Sequence, residues 1–223
     1  MRRLLTMALL AAIAATLTVN IAYSEPPKPS EAQFKWQFDF RYDPPRPIQV
    51  TLPGETTKRT FWYVIFTVTN RTGQDRAYVP AFELYTNTGQ LMPAGRNTPT
   101  FVFNKIKELH NLPLLVTMTS LTDKTLLQGE DNARHSVAIW QDIDPAAGAF
   151  DIFVGGLSGE TAVVKLPQPV KVMQYDPRGQ AKEIMTDQLL LTKQLQLTYT
   201  LPGEASARIY NPAVFASKQW VMR

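Results

Sequence analysis

The sequence predicts a mainly β protein, a sandwich of two sheets with one short inserted helix and a C-terminal β extension. Three observations predict it. Apolar and polar residues alternate with a period of two in several separate runs, as half-buried strands require. The 17 prolines in 223 residues exceed the usual share of about 5%, and charged residues, at 19%, fall below the usual 25% or so. That balance favours strands and turns over long exposed helices. Finally, residues 61–68 read Phe-Trp-Tyr-Val-Ile-Phe-Thr-Val, apolar on both faces, as a mid-sheet strand should be. With 44% hydrophobic residues the chain can build a packed core, so global disorder is excluded.

The chain opens on an export signal. Arg2-Arg3 is followed by an apolar run over residues 4–15 and by Ala22-Tyr23-Ser24, a small-x-small cleavage site. Removing residues 1–24 takes away two arginines and no acid, so the formal charge falls from +4 to +2. No Lys/Arg cluster is left to track phosphates or an anionic membrane surface, which excludes nucleic acid as a partner. The competing reading is a retained anchor, because residues 4–22 at about 1.5 Å each nearly span a hydrocarbon layer of about 30 Å. Thr16, Thr18 and Asn20 weaken its distal half, so cleavage after Ser24 is expected, with no membrane span in the mature chain and a periplasmic or secreted location. The absence of cysteine removes disulfides, thiolate nucleophiles, cysteine-zinc clusters and a lipoprotein anchor.

The expected organisation is a signal over 1–24, a Pro-rich leader over 25–33, a sandwich over 34–204 with its helix at 99–110, and a tail over 205–223. After the leader, Trp36, Phe38, Phe40 and Tyr42 alternate with polar residues until Asp43-Pro44-Pro45-Arg46-Pro47 ends the strand; Ile48, Val50 and Leu52 alternate again. In the central strand, Trp62, Val64, Phe66 and Val68 should face the sandwich core, leaving Phe61, Tyr63 and Ile65 on the opposite face in need of a cover. Arg71-Thr72-Gly73-Gln74-Asp75 reads as a hairpin connection, and Pro80 confines the strand 77–85 to an edge or a bulge. Asn87-Thr88-Gly89 closes that hairpin. The helix takes Thr98 as cap and Pro99 in its first turn, and places Val102, Ile106 and Leu109 on one face, a stripe that can cover the central strand. Strand patterns resume at 137–140, 150–154, 163–166 and 170–175, and Leu195, Leu197, Tyr199 and Leu201 alternate with polar residues. The tail loses periodicity but keeps Tyr210, Phe215 and Trp220.

A short pattern repeats: Leu52-Pro53-Gly54-Glu55, Leu127-Gln128-Gly129-Glu130 and Leu201-Pro202-Gly203-Glu204, the first two followed by Arg59 and Arg134 ahead of apolar runs. A recurring tight turn explains it better than domain duplication. The stretch 61–89, with Thr-Val-Thr-Asn-Arg-Thr-Gly at its centre and Phe82-Glu-Leu near its end, then Leu127-Gln-Gly-Glu and Phe150-Asp-Ile-Phe-Val, resembles secreted bacterial immunoglobulin-like domains of the DUF4352 type over about half the chain. The string Phe-Trp-Tyr-Val-Ile-Phe-Thr-Val-Thr-Asn, with Gly129-Glu-Asp-Asn-Ala and Ile152-Phe-Val-Gly-Gly-Leu-Ser-Gly, is similar to an exported family of planctomycete bacteria across most of the mature chain. These resemblances imply an immunoglobulin-like sandwich and bring no activity with them.

Chemistry-bearing patterns are few. Two histidines, His110 and His135, are too few for a zinc site built on several imidazoles. Gly156-Leu157-Ser158-Gly159-Glu160 approaches a nucleophile elbow, but the motif needs glycine where Glu160 stands and a strand-turn-helix context that is lacking. His135 with Asp142 could serve Ser136 or Ser158; as a residue at the head of a strand, His135 reads more simply as a rim side chain. Asp142 and Asp144 suit Ca²⁺ by spacing but lack a third acid and a bidentate glutamate, and Glu130-Asp131-Asn132 reads as a polar turn. Asn70-Arg71-Thr72 matches a glycosylation sequon that hairpin chemistry explains equally.

The expected function is therefore that of an exported, non-catalytic module of the cell envelope, acting in protein interaction or structure through an envelope protein partner. No residue is read as catalytic, cofactor-binding or metal-ligating, and no cofactor is expected. Trp140, Phe215 and Trp220 are the candidate partner-facing aromatics. The alternative is a carbohydrate-binding module using exposed aromatics; core burial accounts for Trp36 and Trp62.

Overall fold

The computed structural model describes residues 26–32, 35–122, 124–175, 180–208 and 210–223; the segment 1–24, expected to be an export signal, lies outside them. Two prolines shape the first sheet. β1 (Asp39–Tyr42) and β2 (Arg46–Thr51) both run antiparallel along the same edge of β3 (Lys58–Thr69), separated at Pro44-Pro45, where two missing N–H groups interrupt the ladder. Pro47, expected to lie in the break, sits inside β2, as an edge strand permits. Two further strands complete this sheet on the other side of β3. β9 (Arg134–Gln141) pairs β3 antiparallel, and short β7 (Val116–Thr117) pairs β9 parallel.

The chain leaves the first sheet through Asn70. Its amide is fully buried and donates to the carbonyls of Leu126 (2.7 Å) and Gln74 (2.9 Å), while its oxygen accepts from the Thr72 N–H (3.0 Å). The sequon asparagine is thus committed to a turn, but the expected hairpin is not formed: the strand that follows, residues 76–78, does not pair β3. Pro80 then does what a proline in a strand must: it divides the run into β4 (Arg76–Tyr78), paired with β8 (Lys124–Leu126), and β5 (Ala81–Thr86), which joins the second sheet. That sheet also holds β6 (Leu91–Pro93), β10 (Ala149–Gly155), β11 (Thr161–Tyr175), β12 (Ala181–Thr200) and β13 (Val214–Met222), in the order β11-β12-β10-β5-β6 with β13 on the far side of β12.

The two sheets face each other across one aromatic-rich core. Trp62, Val64, Phe66 and Val68 of β3 and Trp140 of β9 meet Phe82, Leu84, Phe150, Ile152, Leu195, Leu197 and Tyr199. Trp62 meets Phe150 edge-on at 5.7 Å, and Phe66 lies 4.6 Å from Phe82. The mainly β sandwich is therefore as the alternation predicts, with its central strand in the predicted register.

The other face of β3 has its own cover. Phe61, Tyr63 and Ile65 pack with Val50, Val137 and Ile139 against α1 (Thr100–Leu109), which contributes Val102 and Ile106, both fully buried. Leu109 departs from expectation and is 65% exposed. The helix stops there, and the chain folds back to place Leu115, 1% exposed, against the same core. His110 ends the helix, with its Nε2 2.8 Å from the Tyr63 hydroxyl. Thr98 is not the cap: Pro99 occupies that position without a side-chain hydrogen bond, one residue later than expected.

The C-terminal residues differ from the expected tail. A single helical turn, α2 (Ala205–Arg208), leads into β13, which pairs β12 from Thr200↔Val214 to Lys193↔Met222. Its weak alternation hid it because the outer strand is largely solvated, so side chains at both parities are exposed. Ile106→Ala should cost about 2–5 kcal/mol, as truncation of a fully buried isoleucine does, whereas Leu109→Ala should shift the urea midpoint hardly at all. Equal midpoints for the two variants would contradict this packing.

Candidate functional site

One element has no counterpart in the compact body. β10 and β11 run in succession along the same side of β12, and residues 156–160 bulge out between them. Past that bulge, among the described residues, only two strands continue: Thr161↔Thr192 through Tyr175↔Ala181 form an antiparallel ribbon. Twelve residues of β12 at about 3.3 Å each give it a length of about 40 Å. Read from the sequence, residues 163–166 and 170–175 look like separate strands because Pro167-Gln168-Pro169 divides them. They form one strand with a register shift between Lys165 and Val170, which a proline tolerates on an edge.

The ribbon is unlike a solvated hairpin in composition. Val163 and Leu190 oppose each other and are both more than 60% exposed. Val164 and Leu189 oppose each other on the reverse face, and Met173 and Met185 are more than half exposed farther out. Among the described residues no strand pairs the outer edge of β11, and none pairs β12 from 181 to 191. Lys171 and Glu183 form the ribbon's ion pair at 2.7 Å, exposed and so of small energetic weight.

The root of the ribbon is built from the segment that resembled a nucleophile elbow. Gly156 has φ +79°, and a Cβ there would lie 2.2 Å from the Val79 carbonyl oxygen, so only glycine fits. Leu157 is fully buried. The Ser158 hydroxyl donates to the Trp36 carbonyl (3.3 Å) and accepts from the Glu160 N–H (3.2 Å). Gly159 lies flat beneath the Trp36 indole, where a Cβ would sit 2.2 Å from Nε1. Glu160, whose presence breaks the elbow motif, forms a buried ion pair with Lys193 at 2.9 Å. Their side chains are 6% and 4% exposed. The ammonium also lies 5.3 Å from the centre of the Trp220 ring. Burial pushes the Glu160 carboxyl up, but hydrogen bonds from Lys193 and Ser30 outweigh it and hold the carboxyl below the usual glutamate range.

The other candidates are dispersed. His135 Nδ1 lies 2.9 Å from the Thr67 hydroxyl, the Ser136 hydroxyl donates to the Val116 carbonyl at 2.8 Å, and Asp142 pairs with Arg59 at 3.0 Å. These partners are not those of a triad. Asp144 accepts from the Ala146 N–H at 2.9 Å, and Glu130 pairs with Arg71 and Arg41. Hydrogen bonds from Thr88 and Ala146 lower the Asp144 carboxyl. Among the described residues no three histidine, aspartate or glutamate side chains gather as metal ligands would.

Trp140 needs correction as a partner-facing residue. It is 2% exposed, and its indole N–H donates to the Met92 carbonyl at 3.2 Å, because its parity on β9 turns it into the core beside Trp62. Phe215 is exposed and meets Tyr199 edge-on at 5.8 Å. Trp220 is half-buried over Lys193 and borders a 310 Å³ groove with Phe38, Phe40, Leu195 and Lys218. All four tryptophans are buried or half-buried, while Tyr85, Tyr210 and Phe215 are exposed. Sequence reasoning missed the Glu160–Lys193 pair, since the two lie 33 residues apart and neither belongs to a chemical motif.

Lys193→Met should destabilise the protein by about 3–5 kcal/mol at pH 7, because it leaves a carboxylate buried without its cation. The folded state binds the Glu160 proton less readily than the unfolded chain, so stability rises with pH across this titration. The pair's contribution is complete above the ordinary glutamate value of about 4.3 and fades as pH falls through the lower folded value. Urea midpoints at pH 7 and pH 3 should therefore show the gap between wild type and Lys193→Met narrowing in acid. No family model, curated protein or solved structure matches the chain.

Proposed function

We propose that this chain is an exported, non-catalytic module of the cell envelope whose ribbon, β11 with the first half of β12, engages an envelope protein partner. One observation carries the reading: a ribbon of about 40 Å exposes the apolar pair Val163–Leu190 and, farther out, Met173 and Met185, and among the described residues no strand pairs either of its edges. A two-stranded hairpin is marginal in water unless a third strand or a packed surface supports it. Unpaired N–H and C=O groups beside apolar side chains are what an incoming protein strand or surface uses. The few charged side chains on the ribbon, of both signs, fit a protein face better than a nucleic acid.

Export is supported by Arg2-Arg3, the apolar run over 4–15 and Ala22-Tyr23-Ser24. Among the described residues no helix is long and apolar enough to cross a membrane. The non-catalytic reading is supported by the separate hydrogen-bond partners of His135 and Ser158. The immunoglobulin-like character of the sandwich belongs to the same proposal, on the resemblance of residues 61–89 to DUF4352-type domains.

Chemical crosslinking and affinity capture from the native envelope test the ribbon. The paired change Val163→Glu with Leu190→Lys should leave circular dichroism and melting temperature near wild type and reduce capture of the crosslinked species about tenfold or more. Undiminished capture would overturn the ribbon as the contact element. Mass spectrometry of the purified protein should give an N-terminus at Glu25, and recovery of Met1 in the membrane fraction would instead mark a retained anchor.

A further inference from the structure

We propose that leader residues 26–32 act as a strap that locks the root of the ribbon by completing the Glu160–Lys193 pair, so that the state of the N-terminus governs how firmly the ribbon is held. The proposal rests on the ribbon as the contact element and adds its regulation. Ser30 touches both members of the pair with its main chain. Its N–H donates to Glu160 Oε1 at 2.7 Å, and its carbonyl accepts from Lys193 Nζ at 3.4 Å. Glu160 Oε2 takes the other bond from Lys193 at 2.9 Å, and the Lys193 N–H donates to the Glu160 carbonyl at 3.0 Å. Both side chains end 4–6% exposed under Ser30 and Trp220.

The position of this cluster gives it leverage. Lys193 is the residue at which β12 passes from the sandwich into the ribbon, and Glu160 immediately precedes β11. One ion pair therefore pins both ribbon strands at their common base, and the strap is the part of its enclosure that belongs to neither sheet. Pro26, Pro27 and Pro29 precede Ser30. Prolines hold a chain extended before it docks, so little conformational entropy is lost when the strap seats. A cut after Ser24 would leave the new terminus within about 20 Å of the root, at about 3.4 Å per residue.

Hydrogen exchange on the full chain tests this without any partner. Ser30→Pro deletes the donated N–H, while Ser30→Ala keeps both main-chain contacts and loses only the hydroxyl, whose hydrogen bond is the weaker of the two that Ser30 gives the Glu160 carboxylate. Ser30→Pro should speed amide exchange at residues 161–165 and 188–193 about tenfold or more, the weight of a buried hydrogen bond to a charge. Ser30→Ala should change it far less, and residues 61–68 should exchange as in wild type in both. Equal root exchange in the two variants would overturn the strap. A second arm repeats Ser30→Pro in a Glu160→Leu, Lys193→Leu background, where the strap has no ion pair to complete. There the substitution should have no effect, and an undiminished effect would show that the leader acts otherwise and overturn the proposal. Failure of the ribbon to capture a partner would not alter either exchange result, so the two readings fail separately.

Discussion

The architecture depends on the two-sided burial of β3. Six consecutive residues of that strand, Phe61 to Phe66, carry large apolar side chains at both parities, and neither set can be left in water. One set recruits the second sheet and the other recruits α1. The result is a helix, a sheet and a second sheet in layers, with β3 and β9 shared between two cores. The Tyr63 hydroxyl is satisfied within these layers by His110, and burial raises its pKa, whereas the Tyr78 hydroxyl is buried in the core without a hydrogen-bond partner among the described residues. The edges of the layers are bridged by Tyr42 and Tyr199, which hydrogen-bond to each other and whose pKa values are both raised chiefly by burial. Lys218 lies 5.4 Å from the Tyr42 ring on the same side.

Much of this was legible in the sequence where a residue's environment is set by its neighbours in the chain. The parity of Trp62, Val64, Phe66 and Val68 follows from strand geometry, and so do the breaks at Pro44-Pro45 and Pro80, because a missing N–H acts where it stands. The repeated Leu-x-Gly-Glu pattern reads correctly as a turn: Gly54, Gly129 and Gly203 all take positive φ. Leu109 shows the limit of the same logic. Its helical phase matches Val102 and Ile106, but the helix ends before a neighbour can cover it, and that depends on where Leu115 returns.

The candidate site was less legible because it consists of distant partners. Nothing near Lys193 announces an ion pair with Glu160, and nothing near Ser30 announces that its main chain closes the pair. Glu160 looked like an error in a catalytic motif and is a structural anchor. Trp140 looked available because tryptophan so often lies at interfaces, whereas its parity on β9 places it beside Trp62. The first half of β12 escaped notice for a different reason. Ala181 to Thr192 has no strict alternation, since a ribbon with two wet faces imposes none.

β12 belongs to the sandwich and to the ribbon without interruption, and this gives the molecule a mechanical character. Tension applied at the ribbon's tip travels along one continuous backbone to the segment 193–200, which β10 and β13 grip from either side. Ladder hydrogen bonds lie perpendicular to the strands, so such a pull loads them in shear, many at once, rather than peeling them one after another. A module gripped by its ribbon would thus resist extraction with its strongest axis aligned to the load.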